Sequence, residues 1–76
     1  MLVLAAGAAR AEDDLAACSA RYAELSKQAA AYTGDAHTKR FIDRALKRAL
    51  REQAEGDADE CIEALDHAAK LLGSGS

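Results

Sequence analysis

Between Ala11 and Gly73 the chain offers only two places where a helix is expected to stop, Thr33-Gly34-Asp35 and Gly56-Asp57, and it contains no proline. Glycine ends helices because it enters the left-handed backbone region without a Cβ clash, and aspartate caps the next helix by accepting from its unpaired amides. Two interruptions therefore predict three helical stretches, at residues 13–32, 36–55 and 58–72. Composition agrees. Alanine alone supplies 20 of the 76 residues, and leucine, lysine, arginine and glutamate, all strong helix formers, supply much of the rest. The β-branched residues are Val3, Thr33, Thr38, Ile42 and Ile62, too few and too scattered for a sheet. A chain of this length holds one domain, and the expected class is all-α.

Each stretch is amphipathic. Leu15, Cys18, Tyr22, Leu25, Ala29 and Tyr32 recur at spacings of three and four in the first. The second shows Phe41, Ile42, Ala45, Leu46, Ala49 and Leu50, a stripe wide enough to face two neighbours. In the third, Ala58, Cys61, Leu65, Ala68 and Leu72 repeat the period, flanked by Ile62 and Ala69. None of these stripes can be buried alone, and short connections make consecutive helices antiparallel neighbours. The predicted fold is a small up-down-up bundle occupying residues 12–73. Alanine on the buried faces permits close helix approach but contributes little apolar area, so the core is expected to be thin and in need of a staple.

The two cysteines supply one. At the helical rise Cys18 lies about 22 Å from the first turn, and the descent of the second helix followed by the start of the third brings Cys61 to about the same height. Both sit on the apolar seam of their helix, which predicts a Cys18–Cys61 disulfide between the outer helices. A redox pair wants its cysteines close together at a helix N-terminus, a separation these two do not have. Two free buried thiols suit a reducing compartment. A zinc site needs histidine or carboxylate company, whereas His37 belongs at the other end of the bundle from Cys61 and His67 is six residues beyond it. No metal or cofactor is expected.

A disulfide implies an oxidising compartment, and the start of the chain points the same way. Residues 1–11, MLVLAAGAARA, are small and apolar, and Ala9-Arg10-Ala11 has the small-x-small pattern of a signal-peptidase site, with Glu-Asp-Asp following. A basic residue before Leu2 is missing and the apolar run is short, so the rival reading is an N-terminal flap of the first helix. The expected location is the bacterial periplasm or the secreted fraction. Residues 74–76 are a linker-like tail.

Catalysis requires convergent groups, and none is legible. His67 has Glu63 one turn earlier, a spacing that serves as an ordinary surface contact; Ser19, Ser26 and Thr38 have no histidine placed to activate them. Carboxylates at Asp59, Glu63 and Asp66 complement the positive end of the third helix. The expectation is a protein that is not an enzyme. Charge is the distinctive feature: residues 12–35 carry a net −3, residues 36–55 a net +3 and residues 56–72 a net −4. Arg40, Arg44, Lys47, Arg48 and Arg51 crowd one broad face, supported at i,i+4 by Lys39-Asp43, Asp43-Lys47, Arg48-Glu52 and Arg51-Glu55. Either the acidic neighbours neutralise this face or it meets something anionic. Nucleic acid is not expected, because the domain as a whole is acidic. The leading expectation is a small interaction or structural module that binds a protein partner or its own copies. The alternatives are a peripheral binder of anionic membrane or envelope polymer, and a metal or small-molecule carrier using His37, His67 and nearby carboxylates.

Overall fold

The structure is a computed structural model that describes the backbone of residues 2–74 and the side chains of residues 13–73. Three helices run in the order α1 (Leu2–Ala30), α2 (Ala36–Ala54) and α3 (Ala58–Ser74), with no strand among the described residues. They form the expected up-down-up bundle, in which α2 and α3 share the most extensive interface. The ends of α2 and α3 match the sequence reading to within two residues. The start of α1 does not, since its helix runs back to Leu2. No proline stands between Leu2 and Ala30, and alanine and leucine propagate helix, so nothing local ends it at residue 13. The side chains of residues 1–12 lie outside the described ones, as do those of residues 74–76, so the signal-peptide or flap segment and the tail are described at most as backbone.

The two interruptions work by different means. Asp35 caps α2, its Oδ2 accepting from the Thr38 amide at 2.9 Å. Gly56 has φ +79°, the left-handed conformation that ends α2. Around it the Asp57 amide donates to Glu52 O at 2.9 Å and the Gly56 amide to Gln53 O at 3.0 Å, the paired bonds of a Schellman turn. Asp57 then caps α3, accepting from the Glu60 amide at 3.1 Å through Oδ1. Gly34, by contrast, is not left-handed; α1 frays through Ala31 and Tyr32 instead.

The core is thin, as the alanine content predicts. Cys18, Leu25 and Ala29 of α1, Ile42, Ala45, Leu46 and Ala49 of α2, and Cys61, Ala64, Leu65 and Ala68 of α3 are buried. Ile42 and Leu65 are the largest side chains wholly out of solvent. Tyr22, Tyr32, Ile62, Leu71 and Leu72 pack around this cluster at half burial. Two members of the expected α2 stripe fall outside it: Phe41 is 39% exposed and Leu50 46%. Nine residues at 100° each place them half a turn apart, so they stand on opposite rims of the buried stripe, and neither rim is covered.

Cys18 and Cys61 are joined, with their Cα atoms 6.4 Å apart, tying α1 to α3 as the height arithmetic predicts. The bond sets the parallel register of these two helices. Arg21 of α1 accordingly reaches Asp66 of α3 at 2.5 Å, an exposed ion pair. Most of the extra length of α1 precedes Cys18, while α3 starts three residues before Cys61, which makes the molecule 51 Å long but only 17 by 15 Å across. The described helices include none long and apolar enough to cross a membrane.

Candidate functional site

The buried residues of α2, Ile42, Ala45, Leu46 and Ala49, follow i, i+3, i+4, i+7 spacing. Arg40, Arg44, Lys47 and Arg51 lie diametrically opposite, within about 60° of helical arc and about 16 Å of length. The amphipathic period that buries the stripe therefore turns four of the five candidate cations outward. Arg48 alone is displaced toward α3, where its Nη2 donates to Glu60 Oε2 at 2.6 Å in a partly buried setting.

The structure thus separates five residues that the sequence grouped. Arg48 is neutralised across the helix seam by Glu60 rather than by Glu52, one turn away on its own helix. Arg51 approaches Glu52 at 3.8 Å, not Glu55. Asp43 serves Lys39, at 3.2 Å, and not Lys47. Arg40, Arg44 and Lys47 have no acidic partner among the described residues. Their mutual i,i+3 and i,i+4 spacing makes the like-charge repulsion uncompensated, a small cost that a structural role alone does not require.

Arg44 does have one neighbour. Its guanidinium carbon sits 5.7 Å from the centroid of the exposed Phe41 ring, and His37 meets the same ring in an edge-to-face arrangement, with centroids 4.9 Å apart. His37, Phe41 and Arg44 are related by i, i+4, i+7, so their spacing was legible in the sequence. What hid the cluster was the assignment of Phe41 to the core.

The neighbouring surface of α3 has the opposite sign. Asp59 and Glu63 are exposed and have no cationic partner among the described residues, and an open groove of about 450 Å³ is lined by Arg48 of α2 and by Glu63, Asp66, His67 and Lys70 of α3. His67 stands in this groove while His37 belongs to the aromatic cluster on α2. Among the described residues no three histidine, cysteine or carboxylate side chains come together as a metal would require. Both sulfurs are consumed by the disulfide, so neither acts as a nucleophile or a ligand. Chemically, the molecule offers paired surface charges, one cationic face with an aromatic rim, and one acidic face. Comparison with protein-family models, curated proteins and solved structures finds no match to this chain.

Proposed function

We propose that this protein is a small extracytoplasmic interaction module, periplasmic or secreted in a bacterium, that presents the outward face of α2 to an acidic protein surface. The observation that carries this reading is that Arg40, Arg44 and Lys47 have no acidic partner among the described residues, with Arg44 set against the exposed Phe41. On the α3 side of α2, Arg48 has found a carboxylate; among the described residues the solvent-facing Arg40, Arg44 and Lys47 have not. An aromatic ring and arginine side by side are the residue types enriched at protein interfaces. The Cys18–Cys61 bond supports the oxidising location.

Affinity capture from a native envelope fraction, run in parallel with the wild-type chain and with Arg44→Glu/Lys47→Glu, tests the proposal. Specific bands that disappear with the double variant are expected; an identical set of captured proteins overturns it. A second reading, contact with an anionic membrane surface, is favoured by the same juxtaposition of Phe41 with cations. Vesicles containing anionic lipid, titrated at low and high salt, decide that reading, and absence of binding at low salt removes it.

A further inference from the structure

We infer that the acidic surface met by α2 is itself an α-helix, one that carries carboxylates at i, i+4, i+7 and i+11 along one side. This rests on the reading of α2 as an interaction surface and gives its partner a form. The spacing of the cations is the basis. Arg40, Arg44, Lys47 and Arg51 are all exposed and are separated by four, three and four residues. At the helical rise they stand at about 0, 6, 10.5 and 16.5 Å along the axis, on a line diametrically opposite the buried stripe. Carboxylates flank this line without lying on it. Asp43 is about 70° round the helix and holds Lys39, and Glu55 is the cap residue beyond the last turn. Of the four cations, Arg51 alone approaches a carboxylate among the described residues, Glu52 at 3.8 Å.

Different acidic surfaces fit this line unequally. A second helix repeats its side chains with the same rise. Carboxylates at the same spacing therefore meet all four cations when the axes cross at the shallow angle of about 20° common in helix pairs. An extended strand presents one side every two residues, about 6.7 Å, and is out of step by the third cation. A flat lipid surface wants apolar side chains at the centre of the contact and cations at its edges. Here the order is reversed, because the cations hold the centre and the exposed Phe41 and Leu50 stand about 90° to either side. Against a helix the Phe41 rim is useful: it meets the partner's flank and already holds the Arg44 guanidinium carbon 5.7 Å from its ring centroid. A second copy of this chain does not supply the match. Asp59, Glu63 and Asp66 keep the spacing on α3, but Asp66 is engaged by Arg21, and Lys70 stands where the fourth carboxylate belongs.

Two synthetic peptides of equal length, composition and charge test this, both bridged through side chains so that they stay helical when free. One carries glutamates at i, i+4, i+7 and i+11; the other spreads the same glutamates evenly round the helix. Binding of each fluorescein-labelled peptide to the full oxidised chain is read by anisotropy at low and high salt. The striped peptide is expected to bind at least about fivefold more tightly, by a margin that shrinks as salt rises. Arg44→Glu is expected to weaken it roughly fivefold or more, while Lys27→Glu, the same charge change on an exposed position of α1, stays within about twofold. Far-UV circular dichroism on each variant establishes that it is folded. Equal binding of the two peptides, binding of neither, or equal losses in the two variants overturns the inference. Self-association in sedimentation velocity that is lost in Arg44→Glu overturns it in favour of a second copy, and tighter binding to anionic vesicles than to the striped peptide does so in favour of a membrane. If the peptides fail while Arg44-dependent capture of a protein persists, the α2 surface stands and only the helical form of its partner is wrong.

Discussion

Removing the Cys18–Cys61 bond is the perturbation whose size the structure states most directly. Of the described α1 residues only Cys18, Leu25 and Ala29 are buried, so the disulfide is a large share of what holds this helix to the other two. The cysteines are separated by 43 positions. Closing a loop of that length lowers the entropy of the unfolded chain by an amount worth about 4 kcal/mol at room temperature. A domain of this size has a total stability of about 4–11 kcal/mol at the usual 0.05–0.15 kcal/mol per residue. Reduction is therefore expected to remove between a third and nearly all of the stability and to lower Tm by roughly 15–30 °C. Thermal and urea unfolding followed by far-UV circular dichroism, with and without a phosphine reductant, measures this. Cys18→Ala/Cys61→Ala provides a second arm and should lose slightly more, because it also empties two sites that are 1% and 0% exposed. A reduced chain whose midpoint stays within about 5 °C of the oxidised one refutes the reasoning. It would mean that α1 is held by its packing and that the covalent tie is incidental.

Other substitutions test other parts of the fold. Leu65→Ala opens space at a position with no solvent exposure and is expected to cost about 2–5 kcal/mol in urea unfolding, against under about 0.5 kcal/mol for Leu50→Ala on the open rim. Asp35→Ala removes the acceptor of the Thr38 amide and should cost about 1 kcal/mol, whereas Asp35→Asn should retain most of it. The Tyr32 hydroxyl is buried without a hydrogen-bond partner, so Tyr32→Phe is expected to leave stability unchanged or to raise it by up to about 1 kcal/mol; a loss of more than that contradicts the orphaned hydroxyl. Gly56→Ala should destabilise by about 1 kcal/mol although its Cβ would meet nothing within 4 Å, because the cost lies in the positive φ and not in crowding.

The candidate surface was only half legible in advance. Period alone turns Arg40, Arg44, Lys47 and Arg51 outward once Ile42, Ala45, Leu46 and Ala49 are buried. Spacing along one helix also suggested which charges would pair, and there it misled for Lys47, Arg48 and Arg51. Glu52 stands one turn from Arg48 in sequence, but Glu60 of the antiparallel neighbour is within 2.6 Å of its guanidinium in space. A long side chain on a rim can choose between its own helix and the next, and the choice depends on interhelical distance, which no periodicity encodes.

What the residues determined without help was local or arithmetical. Helix formers without proline made three helices, Asp35 and Gly56-Asp57 punctuated them, and a constant rise per residue brought Cys18 and Cys61 to one height. What only the packed bundle decided was which edge of each stripe is covered. Phe41 and Leu50 are as apolar as their buried neighbours, yet among the described residues nothing in the three slender alanine-lined helices covers either rim. The same shortage of cover leaves Arg40, Arg44 and Lys47 facing solvent, because a side chain's partner is set by what the neighbouring helices bring within reach.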